Sequence, residues 1–282
     1  MYKYEPRNWL KGLVDWTENN KAYVSVVFSW LRQEAFQRCV WYKQLGYDVK
    51  IGGPAASDDF YEVAEYGQYE DAIWHHNPNA TFTSRGCIRN CKFCIVPRIE
   101  GDLVELNEWP IRPIICDNNL LATSRKHFDD VIDKLKPLTH IDFNQGLDAR
   151  LLTEYHAERL RELRTECIRL AWDHSRLEKL FMGAVQKLLD VGFHPNHIQA
   201  YVLIGYNDTP EDALYRLQTI KDMGMWPNPM RYQPLDAIKK NGYIHSSWTE
   251  RELLHYMRYW SRQVWLKNIP FEEYECGGFR LG

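Results

Sequence analysis

The regular alternation of apolar strands with helices constrains the fold of this chain more than any other feature. Strands are predicted at 81–84, 111–116, 140–144, 167–172, 199–204 and 230–233, and helices at 125–135, 153–163, 176–191 and 210–223. A spacing of about 25 to 35 residues between strands indicates a parallel sheet, because tight turns cannot join parallel strands. We therefore expect an α/β fold in which six βα units form a partial (β/α)6, TIM-like barrel.

Two further regions flank this pattern, so we divide the chain at 1–79, 80–235 and 236–282. The first contains a strand at 22–28, a helix at 31–46 and the strand YDVKIGG, which is a short βαβ extension, and then a polar connector at 54–79. The last is a helical extension rich in aromatic and basic residues, among them Trp248, Tyr259 and Trp260. At helical spacing these aromatics are expected to cover the open side of the barrel, and the alternative is that they stack nucleobases.

Composition narrows the class of protein. No apolar run reaches the roughly 18 residues that span a bilayer, and the N-terminal segment lacks the apolar core of a signal peptide. We therefore expect a cytoplasmic protein with no membrane partner. A net charge of −3 gives no overall attraction to nucleic acid, so any such binding needs a local basic patch.

Three of the seven cysteines, Cys87, Cys91 and Cys94, fall within eight residues of sequence. In a reducing compartment such clustering indicates metal rather than disulfides. Three thiolates can hold a four-iron cluster and leave one iron open to another ligand. The alternative is a zinc-stabilised binding module, which needs a fourth Cys or His ligand, and no second C-x-x-C follows.

The segment SRGCIRNCKFC resembles the C-x-x-x-C-x-x-C motif of the radical S-adenosylmethionine (SAM) superfamily, whose barrels carry it after the first strand. The resemblance implies a [4Fe–4S] cluster on the three cysteines and SAM as its ligand. Reductive cleavage of SAM would then give a 5′-deoxyadenosyl radical that abstracts hydrogen from a substrate, which the sequence does not identify. It further implies an external electron donor of the flavodoxin or ferredoxin type, and it assigns Phe93 to the adenine of SAM.

The later strand ends supply the remaining candidate residues, because loops at the carboxyl ends of barrel strands carry the chemistry. By position in the resemblance, SAM or substrate contacts fall on Asp117, Asn118, Asn119, Asn144, Gln145, Asp148, Arg150, Asp173, Ile204 and Gly205. Asp117, Asn118 and Asn119 stand where the family often has Gly-Gly-Glu. We place Asp148 and Arg150 among the candidate catalytic residues. Helix capping and turn formation are the alternative explanation for the polar members of this set.

Cys116, predicted at the end of the second strand, is a candidate hydrogen-atom donor or a buried small residue.

Two parts of the sequence resemble narrower groups of proteins. The cysteine loop is similar to that of tRNA methylthiotransferases, which makes a nucleic-acid modification enzyme the alternative function. The N-terminal unit looks like a remnant of the cobalamin-binding domain of B12-type radical SAM proteins. Because the D-x-H-x-x-G loop of that domain is missing, we do not expect cobalamin.

Overall fold

A four-stranded mixed sheet and a six-stranded parallel sheet organise the chain in the computed structural model, which describes residues 9–69 and 72–275. The N-terminal sheet has the order β1-β2-β3-β4. Its elements and the helices beside it are β1 (Leu13–Glu18), β2 (Lys21–Val26), α1 (Arg32–Gln44), β3 (Asp48–Gly52), β4 (Glu65–Tyr66) and α2 (Ala72–His76).

The N-terminal sheet contains the predicted βαβ unit, since β2 and β3 are parallel and α1 connects them. Strand β1 was not predicted, and it pairs antiparallel with β2. The turn between them is Asn19-Asn20, with φ angles of 47° and 62°. Two consecutive left-handed residues are typical of the tight hairpin turn that matches strand twist, and asparagine tolerates them best after glycine.

Residues 54–79, interpreted from sequence as a connector, contribute to the N-terminal sheet instead of only linking two regions. Strand β4 pairs with β3, and α2 lies against β1. The buried His76 ring is hydrogen-bonded to the Ser25 hydroxyl at 2.9 Å, and the His75 ring stacks on Trp16. These side-chain contacts are not visible in local sequence patterns, which is why the polar composition was misleading.

The six-stranded sheet is entirely parallel, as the alternation predicted, and its order β5-β8-β9-β10-β11-β12 follows the sequence. The elements of this part are β5 (Ala80–Thr81), β6 (Ser84–Arg85), α3 (Val96–Ile99), β7 (Val104–Glu105), β8 (Ile114–Ile115), α4 (Arg125–Leu135), β9 (Ile141–Phe143), α5 (Glu154–Arg161), β10 (Thr165–Ala171), α6 (Glu178–Asp190), β11 (Ile198–Ile204), α7 (Pro210–Asp222), β12 (Trp226–Arg231) and α8 (Glu250–Ser261). Each strand lies beside the one that precedes it in sequence, and crossovers between parallel strands are right-handed. The connecting helices are therefore expected on one face of the sheet. A single core cluster joins apolar residues of α4 to α7 to the strands.

The first two strands of this sheet are shorter than predicted. The predicted strand 81–84 divides into β5 in the sheet and β6, which pairs with β7 in a separate two-stranded ladder. In the predicted strand 111–116 only β8 pairs. Pro110 and Pro113 flank its beginning, and a proline cannot donate to a ladder.

The predicted helices form, and three of them, α4, α5 and α7, have a hydroxyl cap at the N-terminus. The hydroxyls of Ser124, Thr153 and Thr209 accept hydrogen bonds from backbone N–H groups in the first turns of α4, α5 and α7. Each cap contributes about 1 kcal/mol by satisfying an otherwise unpaired donor.

The aromatic residues of the C-terminal extension pack into the main core. Helix α8 lies against β12, and Tyr256, Tyr259 and Trp260 are buried there. These rings are therefore packed against the sheet, and buried rings cannot stack nucleobases. Within residues 9–69 and 72–275, none of the helices has both the length and the apolar composition needed to cross a bilayer.

Candidate functional site

The candidate site lies where the carboxyl ends of the six parallel strands meet. Since all six strands run in the same direction, the loops that follow them lie at one edge of the sheet. We call this edge the mouth. The loop after β5 carries the three neighbouring cysteines, and it takes the place of the crossover helix that follows each later strand.

The cysteine loop is closed at its base by the ladder between β6 and β7. Gly86 opens the loop with a φ of 72°, and a Cβ there would lie 2.0 Å from the carbonyl oxygen of Asp102. Glu100, which the sequence analysis missed, lies at the end of the loop and is bonded to residues at its beginning. Its carboxylate accepts hydrogen bonds from the Gly86 N–H at 2.8 Å and from the Arg85 guanidinium at 2.9 Å. The entrance and the exit of the loop are thus held together.

The three thiols are partly buried and close enough to influence one another electrostatically. Burial raises the pKa of Cys91 and Cys94 above the ordinary value, and each also experiences the other cysteines of the loop. Arg89 donates its backbone N–H to the Cys87 sulfur at 3.4 Å, and the positive charge of Arg150 opposes the rise in the pKa of Cys91. Both effects stabilise thiolates, which are the form that binds metal.

Three of the predicted polar residues, Asn119, Asp148 and Arg150, gather around the cysteine loop. Asn119 donates through Nδ2 to the Cys87 sulfur at 3.6 Å and to Asp148 at 3.3 Å. Asp148 accepts from Arg150 at 2.6 and 2.9 Å. Burial alone would raise the pKa of Asp148, but the hydrogen bonds and charge of Arg150 hold it below its ordinary value. The carboxylate is therefore ionised and orients the guanidinium next to Cys91.

Asp117 and Asn118, predicted to contact SAM, make their hydrogen bonds to the protein scaffold. The buried Asp117 carboxylate accepts from the Thr83 N–H at 2.6 Å and from the Ser84 hydroxyl at 2.8 Å. Asn118 donates to Glu100 at 2.7 Å. Both residues therefore fix the path of the chain from β5 into the cysteine loop.

At the end of β10, Asp173 lies near Cys91 and Cys94, and its negative charge contributes to the raised pKa of both thiols. Burial raises the pKa of Asp173 to about 6, an effect that the Arg150 charge opposes.

At the end of β11, Ile204 is fully buried, and Gly205 has a φ of 75°. The Gly205 N–H donates to Asp208 at 2.9 Å, and Asp208 is paired with Arg216, whose side chain has no exposed surface. The sequence analysis did not identify this buried pair, because Asp208 resembles an ordinary turn residue and Arg216 an ordinary charge on a helix surface.

The remaining predicted residues occupy different positions around the mouth. Phe93 lies on the cysteine loop with its ring centroid 5.6 Å from that of Tyr206. The Asn144 carbonyl accepts from the Tyr201 hydroxyl, and Gln145 is exposed. Cys116 is buried in an apolar cluster with Ala80 and Ile114, where burial raises its pKa to about 12.

The residues around the thiols fit an iron–sulfur cluster. One loop supplies three sulfurs with N–H donors, and the buried Oδ1 of Asn119 beside Cys87 has no hydrogen-bond partner among the described residues. A closed zinc site needs four ligands. In the described part of the chain, no three or more His, Cys, Asp or Glu side chains are arranged to hold a metal ion, and this finding includes Cys87, Cys91 and Cys94.

Most of the chain is similar in fold to a solved enzyme structure. No family model matches the sequence, and no curated protein matches it. Among solved structures, the chain matches the radical S-adenosylmethionine methyltransferase TsrM from Kitasatospora setae, whose structure contains cobalamin and a [4Fe–4S] cluster. The TM-score is 0.53 at 12% identity, over 76% of this chain and 63% of that chain. The present chain thus spans a little less than two thirds of that enzyme, and at this identity the likeness concerns the fold. The chain therefore shares its fold with this enzyme over the matched part.

Proposed function

We propose that this chain is a radical SAM enzyme that holds a [4Fe–4S] cluster on Cys87, Cys91 and Cys94. The observation that carries the proposal is the clamped cysteine loop at the mouth of a parallel sheet, with N–H donors directed at its sulfurs. The shared fold supports it. We further propose that the six-stranded sheet curves into a partial (β/α)6 barrel, because sequential strand order is the order of a barrel and not of a doubly wound sheet.

When bound and reduced, the cluster would supply the electron for cleavage of SAM, giving a 5′-deoxyadenosyl radical that abstracts hydrogen from a substrate. The residues of the chain would contribute by holding the cluster in place and by bonding to its sulfurs. Glu100 fixes the loop, and the Asn119 side chain and the Arg89 backbone N–H donate hydrogen bonds to the Cys87 sulfur. Such bonds stabilise the more negative, reduced form of a cluster and so raise its reduction potential.

We assign the binding of SAM to the residues at the ends of the later strands. Asp173 lies beside the thiols, where a carboxyl group can accept hydrogen bonds from a ribose or an ammonium group. Gly205 lies at the end of β11, where its N–H is bonded to Asp208 and the Leu253 side chain of α8 packs against it. Phe93 offers a ring at the cysteine loop for the adenine. Asn144 and Gln145, at the end of β9, remain assigned to SAM or to the substrate.

We propose an external electron donor of the flavodoxin or ferredoxin type, because the four other cysteines are scattered along the sequence and offer no second cluster motif. We propose a cytoplasmic location, where thiols stay reduced. Cobalamin, present in the structure of TsrM, is not part of the proposal, since the sequence lacks D-x-H-x-x-G.

The test is anaerobic reconstitution with iron and sulfide, followed by metal analysis and an assay for 5′-deoxyadenosine with dithionite and SAM. We expect about four iron and four sulfide per chain. Cys91→Ala should lose the cluster and the product. Cys167→Ala, in β10, is the matched control and should retain both. Zinc without sulfide would instead support the binding module, and SAM cleavage by Cys91→Ala would refute the proposed function.

A further inference from the structure

Basic residues concentrate at the mouth although the whole chain is acidic. The cysteine loop, residues 84–100, has four basic residues and one acidic residue, and the segment 231–245 after β12 has three basic and one acidic. Removing these from totals of 35 basic and 38 acidic residues leaves 28 and 36. These two segments are therefore positive within a negative protein.

Four of these cations are available to a ligand. Lys92, Arg98, Lys239 and Lys240 are exposed, and none forms an ion pair with another residue that the structure describes. By contrast, Arg85 and Arg89 are paired with Glu100 and Asp148. The cations belong to two segments, so they cover a larger area than a single phosphate or carboxylate group would contact.

A continuous row of aromatic rings connects these two segments. Phe93 contacts Tyr206 at 5.6 Å between ring centroids, Tyr206 contacts Tyr232 at 4.7 Å, and Tyr232 contacts Tyr243 at 5.2 Å. All four side chains are partly exposed. We call them the aromatic row. Burial raises the pKa of Tyr232 and the charge of Arg98 opposes that rise, so Arg98 lies within electrostatic reach of the row.

Aromatic faces beside unpaired cations match a nucleobase with phosphates more closely than other substrates. Base stacking uses the rings, and phosphates satisfy the cations. An apolar substrate would leave the cations unused, and an acidic peptide would leave the rings unused. The rings can be reached only by a base outside a duplex stack, which favours a single strand.

We propose that the mouth binds single-stranded nucleic acid and presents one base to the radical, an inference that rests on the proposed function. Phe93, at the inner end of the row, remains with the adenine of SAM. Tyr232 and Tyr243 stack bases of the substrate, and Lys239 and Lys240 contact its phosphates. The C-terminal helix takes no part, because its aromatic rings are buried.

The test is fluorescence anisotropy of reconstituted protein with labelled 12-nucleotide single strands of RNA and DNA, at several salt concentrations. Tyr232→Ala should weaken binding about 5- to 150-fold, the usual range for one stacked base. Tyr61→Ala, at an exposed tyrosine of the N-terminal region that is not part of the aromatic row, should leave binding unchanged. Changing Lys239 and Lys240 together to Gln should reduce the slope of log affinity against log salt by about 1.4. Changing Lys134 and Lys136 together to Gln, at the end of α4 that is remote from the mouth, should not change it.

Three results would overturn the inference: no binding to either strand at low salt, equal losses in Tyr232→Ala and Tyr61→Ala, or equal affinity for a duplex or for free AMP. The last would identify a duplex ligand or a free nucleotide instead. The binding assay needs no radical chemistry, and 5′-deoxyadenosine formation without substrate tests the cluster. Failure of one proposal is therefore distinguishable from failure of the other.

Discussion

Removing the Arg216 guanidinium should destabilise the protein strongly, because it leaves a buried carboxylate without its counter-charge. Arg216 has no exposed side-chain surface, and Asp208 is 5% exposed. The guanidinium also donates to the carbonyl oxygens of Trp172 and Leu203, at the ends of β10 and β11, each at 3.0 Å. A substitution such as Arg216→Met therefore leaves several acceptors unsatisfied at the mouth.

The expected cost is about 3–5 kcal/mol in the free energy of unfolding, the range for a broken buried ion pair. The pair of Lys134 with Asp130 has the same i,i+4 spacing as Arg216 with Asp212, but its side chains are 37% and 47% exposed. Lys134→Met should therefore cost less than about 1 kcal/mol. Adding Asp208→Asn to Arg216→Met should recover part of the loss, since the unpaired charge is then gone.

The measurement is urea unfolding by circular dichroism under reducing, anaerobic conditions. Burial already raises the pKa of Asp208 and the Arg216 charge opposes that rise. Without Arg216 the folded pKa should rise further, so the deficit of Arg216→Met should shrink as the pH is lowered towards 5. A loss as small as that of Lys134→Met, or a double variant less stable than the single one, would refute the reasoning.

Three further predictions concern the cysteine loop and the N-terminal sheet. Gly86→Ala should abolish iron uptake on reconstitution, because its Cβ would overlap the facing backbone; Gly101→Ala, with a φ of 69° but open space, should retain iron, and equal uptake would contradict this. Asn119→Leu should lower the reduction potential of the cluster measured by EPR titration, since the donor to Cys87 is lost; an unchanged potential would mean that this bond is not formed. Burial lowers the pKa of His76 to about 4, so the unfolded chain binds more protons between about pH 4 and 6.5 and stability should fall as pH decreases through that window; His76→Gln should show a flatter profile in urea unfolding.

The parts of the fold that follow from local sequence were predictable. Hydrophobic periodicity and capping residues placed α4 and α7 within a residue or two, because Ser124 and Thr209 act on the helix that follows them directly. The hairpin of β1 and β2 was missed, although Asn19-Asn20 between two apolar segments was an available signal.

The site was predictable where chemistry depends on residue type and spacing, and not where it depends on distant partners. The cysteine spacing identified the loop, and polar strand ends identified Asn119, Asp148 and Arg150, which the structure brings together. Glu100 could not be recognised, because its hydrogen bonds reach residues 14 and 18 positions away. The orientation of Asp117 towards the scaffold likewise depends on tertiary contacts.

The ladder between β6 and β7 would keep the cysteine loop closed if the proposed cluster were lost to oxygen. It joins Arg85 to Val104 and so closes the 18 residues that contain the three thiols. Closing a flexible segment of that length costs about 2.5 kcal/mol plus a constant, and here protein hydrogen bonds offset that cost. Loss of iron should therefore leave the ends of the segment in place, and a folded chain should accept a new cluster without being synthesised again.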